Sequence, residues 1–300
     1  GMSLQPSEFV KAFTALAVAK LLSDRQYNLG LIKNQIKAFI IIFTPALLIT
    51  LQPDAGSALI YLAFFFVFYR EGLTLNYIIF GSLFILLFIL TILYGYLSVL
   101  LFLFIIITMA VIYAIYKGGK RFLRFNWYKV LAIYVITTLF TFGTDFAYNN
   151  IFKQHHRDRF EVLLGLKTDK TNIGYNSYQS ELTISSGGWA GKGFLKGDIT
   201  KGDFVPEQHT DYIFSTVGEE WGFLGSSLVI ILFMLMMYRI IYLSETHNNK
   251  FGRIYGYSVA SILFFHVIVN IGMVIGLLPT VGIPLPFFSY GGSSLWGFTI

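Results

Sequence analysis

The sequence predicts an all-α polytopic integral membrane protein, a helical bundle of about 8–9 transmembrane helices with one long extracytoplasmic loop. Two observations carry this. Hydrophobic residues make up 55% of the chain and charged residues 13%, against roughly 25% charged in a soluble domain. Apolar runs of about 18 or more residues, long enough to cross a bilayer, recur along the chain. The mean hydropathy is +0.66, and the 31 Phe and 19 Tyr suit bilayer packing and interfacial belts.

Spanning segments are expected at 8–22, 34–51, 55–70, 75–94, 97–116, 128–148, 212–243 and 255–278, with a further one beginning near 293. Tyr94-Gly95-Tyr96 marks a turn between two of them. The net charge of +6 does not point to nucleic acid, because the basic residues sit in short loops between apolar runs. Arg25 and Lys33, Arg70, Lys117 to Arg124, and Arg239 to Arg253 fall in alternate connections. The positive-inside rule places these loops in the cytoplasm and the long 149–211 segment outside. Cysteine is absent, which removes disulfides, thiol catalysis and thiolate metal sites. The chain opens Gly1-Met2 at the mouth of a helix and stops at Ile300 in an apolar stretch. It is therefore expected to be a fragment truncated at both ends.

The 149–211 segment is longer than a connector requires, and such loops are usually functional or disordered. Its aromatics, glycines and mixed charges argue against simple disorder. Five clusters stand out along the chain. Gln5-Pro6-Ser7-Glu8-Phe9-Val10-Lys11 reads as a helix start, with Pro6 in the first turn, Ser7 as a cap and Glu8 at the positive helix end. Glu8 and Lys11 share a face at i and i+3 and can pair. Gln52-Pro53-Asp54-Ala55-Gly56-Ser57-Ala58 reads as a turn and a capped helix whose small residues permit close helix contact.

The third cluster joins Gln179-Ser180-Glu181 to Ser185-Ser186-Gly187-Gly188-Trp189-Ala190-Gly191-Lys192-Gly193-Phe194. It is not a Walker A loop, which needs Gly at 186 and Ser or Thr at 193. Its backbone N–H groups and Lys192 are nonetheless suited to an anion. The fourth runs from Phe204 through Pro206, His209 and Asp211 to Glu219-Glu220-Trp221-Gly222. Asp211 stands where the long loop meets a membrane helix, either as an N-cap or as a site carboxylate. Glu219 and Glu220 follow some two turns on, and carboxylates within a span are costly and functional by default. The fifth comprises His266, Asn270 and the Pro/Gly-rich run from Gly276 to Ser294. Broken backbone at membrane depth is tolerated only where protein buries it or water reaches it. His266 and Asn270, at i and i+4, read as interhelical hydrogen-bond partners.

The spellings QPSEFVK, QPDAGSAL, QSELTISSGGWAGKGF, FVPEQHTDYIF with GEEWG, NIGM and PTVGIPLPFFSYGGSSL resemble the shape, elongation, division and sporulation (SEDS) family. They stand in the family's order and extend over nearly the whole chain as a single domain, 1–300. The Gly-Ile-Pro-Leu-Pro-Phe run brings it nearer the RodA branch than the FtsW branch. The family plan has further spans before the Gln-Pro-Ser-Glu motif and after the Ser-Tyr-Gly-Gly motif, and the 75–125 stretch adds a helical pair to it.

The resemblance implies a peptidoglycan glycosyltransferase of the bacterial cytoplasmic membrane, polymerising lipid II on the outer face. Asp211 matches the family's essential loop aspartate, as base or as the group orienting the acceptor. Lys11 is expected to pair with Asp211 or with the pyrophosphate, and Glu8 to position it. Arg157, Arg159, Lys192 and Lys196 are candidate pyrophosphate contacts, and Gln179, Ser180 and His209 further substrate contacts. A divalent cation is compatible with this chemistry, although no metal-ligand spacing is evident. The implied partner is a class B penicillin-binding protein transpeptidase. Two rivals are a flippase for lipid-linked precursors, which would need polar groups through the full membrane depth, and a non-catalytic scaffold for the transpeptidase.

Overall fold

The computed structural model describes residues 5–299 apart from 53, 119, 165, 167–173 and 203. Helices are the regular secondary structure of the described residues, with no strand among them. In order the helices are α1 (Pro6–Ser23), α2 (Ile32–Leu51), α3 (Ala55–Leu59), α4 (Phe64–Arg70), α5 (Asn76–Tyr94), α6 (Tyr96–Gly118), α7 (Lys120–Phe146), α8 (Gln154–Leu163), α9 (Tyr175–Gly187), α10 (Asp198–Lys201), α11 (Ile213–Thr246), α12 (Lys250–Val274) and α13 (Gly292–Thr299). Six of the described helices are long and apolar enough to cross a membrane: Ile32–Leu51, Asn76–Tyr94, Tyr96–Lys117, Asn126–Ile151, Ile213–Thr246 and Lys250–Val274. The other expected spans are helical but weaker. α1 carries Glu8, Lys11 and Lys20. The 55–70 segment is interrupted by a 3-10 turn over Ile60–Ala63. Pro53 of the second cluster lies outside the described residues.

The chain divides into two compact units, residues 1–75 with 169–300, and 76–168. In the first, α12 is the most buried of the spanning helices and packs against α1, α4, α9 and α11. Ala15, Val18 and Ala19 of α1 are fully buried, and small side chains let helix backbones approach. The same logic governs α3, where a Cβ on Gly56 would lie 2.3 Å from Val281 O. Asp54 caps α3, accepting from Ser57 N at 2.9 Å. At α1, Pro6 occupies the first turn as expected, but Gln5 is the N-cap residue. Ser7 instead donates to Asp54 Oδ2 at 3.4 Å.

α12 starts earlier than the apolar pattern predicted, because Asn249 caps it by accepting from Phe251 N at 3.0 Å. It ends at Val274, four residues short of the expected bound, where Gly276 turns the chain at φ +73°. Arg70 ties α4 to α11 and α12. Its guanidinium pairs with Glu245 at 2.5 Å and lies 4.1 Å from the Tyr257 ring centroid. Tyr257 OH donates to the same Glu245 carboxylate.

In the second unit, α5 and α6 form the expected pair, separated at Gly95 with φ +78°. Ring contacts join its helices, with Phe84–Phe140 at 4.7 Å and Phe104–Tyr134 at 5.1 Å. Beyond a π-helical turn over Ala147–Ile151, α8 folds back so that Tyr148 OH reaches Glu161 at 3.1 Å.

Candidate active site

The site is built on a break in α11. Gly222 sits inside this helix at φ 65° and ψ −161°, where the helical hydrogen-bond ladder cannot continue. Around the break the glycine-rich segment supplies partners for four backbone groups of α11. Lys192 N and Gly193 N donate to Glu219 O and Glu220 O at 3.0 and 2.9 Å. Phe223 N and Leu224 N donate to Gly188 O and Trp189 O at 2.9 and 3.1 Å. Buried backbone groups must be paired, and in a membrane each unpaired one costs several kcal/mol.

The glycines follow from the closeness of this splice. A Cβ on Gly187 would lie 2.0 Å from Gly218 O, and one on Gly191 would lie 2.2 Å from Glu220 O. The anion-cradle expectation for these amides is thereby corrected at Lys192 and Gly193. Their N–H groups are occupied by carbonyls of α11.

Glu219, expected as an intramembrane polar group, is fully buried and is the hub of the splice. Its carboxylate accepts from Lys192 Nζ at 2.8 Å, Ile199 N at 3.1 Å, Thr200 N at 2.8 Å and Thr200 Oγ1 at 2.6 Å. Lys192 also pairs with Asp198 at 3.2 Å. The hydrogen bond that Lys192 donates to Glu219 holds its ammonium above the ordinary lysine pKa. Glu219→Ala leaves two amides and the Thr200 hydroxyl without their acceptor and Lys192 with Asp198 alone, so it should cost about 3 kcal/mol. The expected result is a lower melting temperature in detergent and faster proteolysis between residues 188 and 211.

Asp211 is half-buried just before α11. It does not cap the helix: Tyr212 is the N-cap residue, and no side chain makes a cap bond there. Its backbone is instead locked to the Pro/Gly-rich run. Asn270 Nδ2 donates to both Asp211 O and Ile283 O at 2.7 Å. Ser289 Oγ donates to Thr210 O at 2.6 Å, and Tyr290 N to His209 O at 2.8 Å. The carboxylate faces Gly282, whose absent Cβ would lie 3.2 Å from Oδ2 at a φ of +65°. Among the described residues Asp211 has no cationic partner. Burial, then the charges of Glu207 and Asp54, push its carboxyl up to about 6. That is the range in which a carboxylate serves as a general base near neutral pH.

Glu8 and Lys11 form the expected pair at 2.8 Å, both buried. The second partner of Lys11 is His266 Nε2 at 2.8 Å. Lys11 thus takes Glu8 and His266 rather than Asp211. Glu8 and Lys11 line a cavity of about 40 Å³ with Ala12, Tyr255, Leu263 and Phe298. Glu8 Oε2 in this group is buried without a hydrogen-bond partner.

The remaining expected residues are spread more widely. Ser180 is fully buried and donates to Val274 O at 2.7 Å, so it anchors α9 to the end of α12. Gln179 beside it is half-buried, His209 and Lys196 are exposed, and Glu220 is buried. Arg157 and Arg159 lie on α8 in the 76–168 unit, where Arg157 donates to Gln154 at 2.7 Å. No group of three or more His, Cys, Asp or Glu side chains placed to hold a metal ion occurs among the described residues. Sequence reasoning missed Ser289 and Gly282 as neighbours of Asp211. The signal was their place in broken backbone seventy and more residues downstream.

A polytopic helical membrane protein with a buried ion pair in α1 and a perturbed carboxylate at the mouth of a spanning helix is the class that the fold and site define. The chain belongs to the FtsW/RodA/SpoVE family, described as cell cycle proteins, whose model matches residues 1–112 and 105–300. It is 33% identical to the peptidoglycan glycosyltransferase MrdB of Escherichia coli (strain K12) over 97% of this chain and 64% of that one. It is 31% identical to the peptidoglycan glycosyltransferase RodA of Treponema pallidum (strain Nichols), over 98% and 71%. The chain therefore spans less than two thirds of the E. coli relative. A solved peptidoglycan synthase complex contains a chain that superposes with a TM-score of 0.62 at 25% identity, covering 98% of this chain and 66% of that one. The rod shape determining protein RodA of Thermus thermophilus shares the fold, with a TM-score of 0.52 at 23% identity over 98% and 62%.

Proposed function

We propose that this protein is a peptidoglycan glycosyltransferase that polymerises lipid II into β-1,4 glycan strands during cell elongation, at the outer face of the bacterial cytoplasmic membrane. The observation that carries this is Asp211, a half-buried carboxylate raised to about 6 and locked by its backbone to broken, Pro/Gly-rich chain. The acceptor's GlcNAc 4-hydroxyl attacks the anomeric carbon of the donor. Its proton passes to Asp211, the new glycosidic bond forms, and undecaprenyl pyrophosphate leaves with the electrons of the broken C–O bond. A single displacement inverts the anomeric carbon. Positive charge is needed at the departing pyrophosphate. Lys11, positioned by Glu8, is assigned to that role, with exposed Lys196 as a further contact.

The names of the relatives support this reading, since both curated proteins above are peptidoglycan glycosyltransferases. The similar solved chain is part of a synthase complex that coordinates polymerization and crosslinking, which supports a class B penicillin-binding protein as partner. The test is to incubate the full-length protein, with that partner, with labelled lipid II. A ladder of glycan products is the expected outcome. No ladder beside an active control enzyme would reject the reading, and lipid II translocation without polymerisation would replace it with the flippase.

A further inference from the structure

His266 is buried at 1% exposure, and both of its ring nitrogens are engaged. Nδ1 lies 3.2 Å from Pro284 O, and Nε2 lies 2.8 Å from Lys11 Nζ. A carbonyl only accepts, so Nδ1 carries a proton. An ammonium only donates, so Nε2 offers its lone pair. Lysine is the more basic of the two groups, and Glu8 Oε1 accepts from the same Lys11 Nζ at 2.8 Å. The imidazole is therefore neutral and fixed in one tautomer. The ring of Phe298 closes the other side, edge-on to His266 at 4.8 Å and 5.6 Å from Lys11 Nζ.

One turn along α12, Asn270 does the matching task for the other half of the site. Asn270 holds Ile283 O and Asp211 O, while His266 holds Pro284 O and Lys11. The two side chains grip adjacent carbonyls of the same broken segment. Helix α12 thereby sets the spacing between the Lys11 charge and the Asp211 backbone.

We propose that His266 is a positioning residue for Lys11, presenting Nε2 to the ammonium and registering it against the segment that also fixes Asp211. This rests on the glycosyltransferase reading, in which Lys11 serves the departing pyrophosphate. The chemistry predicts an ordered set of variants. Glutamine places its amide oxygen near the Nε2 position and keeps the Lys11 contact. Asparagine places its amide nitrogen near Nδ1 and keeps only the Pro284 contact. Leucine keeps neither.

In the full-length protein with its partner and labelled lipid II, His266→Gln should retain kcat within about threefold, while His266→Asn and His266→Leu lose about 30-fold or more with little change in KM. Melting temperatures should show that His266→Asn is no less stable than His266→Gln. A merely structural histidine would give Asn and Gln equal activity, or activity that follows stability, and either result overturns the proposal. Ring ¹⁵N spectra in bilayers supply an arm that does not depend on activity, with the His266 signals assigned by their loss in His266→Gln. Nδ1 should bear the proton and Nε2 none, and the Nε2 resonance should shift in Lys11→Met. A proton on Nε2 overturns the proposal even if glycan forms. Inactive wild type with the expected spectra instead places the failure in the glycosyltransferase reading.

Discussion

Asp211→Asn is expected to abolish glycan polymerisation without loss of fold. The amide cannot accept the acceptor's proton, and general-base catalysis contributes about 10²–10⁴-fold, so kcat should fall by that factor. The backbone contacts that hold the position, from Asn270 and Ser289, involve carbonyls and survive the change. Stability separates this outcome from misfolding. The folded-state pKa is raised from 3.8 to about 6, so the ionised carboxylate disfavours the fold above that pH and the penalty is relieved as pH falls through 6. The Asn variant should then be at least as stable as wild type at pH 7.5, read by melting temperature. In wild type the initial rate should fall about tenfold per unit below a pH near 6, where the base becomes protonated. An unchanged rate in the variant would remove Asp211 from the chemistry.

Lys11→Met should be the more damaging change to the protein as a whole. It leaves Glu8, 2% exposed, without its cation, and breaking a buried pair by removing one partner costs about 3–5 kcal/mol. The His266 Nε2 acceptor loses its donor at the same time. The double variant Glu8→Gln with Lys11→Met removes both charges and should recover most of the lost stability. Its glycan ladders should remain absent. Recovery of stability and polymerisation together would make the pair a structural element and take Lys11 out of the proposed reaction.

The local features were legible because local chemistry produces them. Pro6 at the start of α1, Asp54 as the cap of α3, the Glu8–Lys11 pair at i and i+3, and the turn at Gly95 each depend on residues a few positions apart. The close approach allowed by Gly56 was readable as a small-residue contact, though not its partner Val281. What stayed hidden depends on distant chain. Glu219 looked like a carboxylate stranded in a span, since its acceptor role is defined by Lys192, Ile199 and Thr200. The glycines at 187–193 read as an anion cradle because an N–H that meets a carbonyl of α11 and one that meets a phosphate have the same local sequence. Gly222 closed the Glu219-Glu220-Trp221-Gly222 cluster, but nothing in the neighbouring residues marked it as a break in the helix. His266 was readable as an interhelical partner, but Lys11 lies 255 positions away.

The break at Gly222 also changes what the bilayer sees. The part of α11 beyond the break, Phe223–Thr246, is about 24 residues, roughly 36 Å long, against a hydrocarbon core of about 30 Å. A helix longer than its membrane leans over, and leans further as the membrane thins. Residues 188–193 are stitched into the ladder at the top of that helix, so they cannot stay behind when it leans. The proposed catalytic carboxylate lies one helical segment beyond the stitch. In the reaction proposed above, membrane thickness would then set how deep Asp211 sits relative to the phosphates of the lipid-borne substrate.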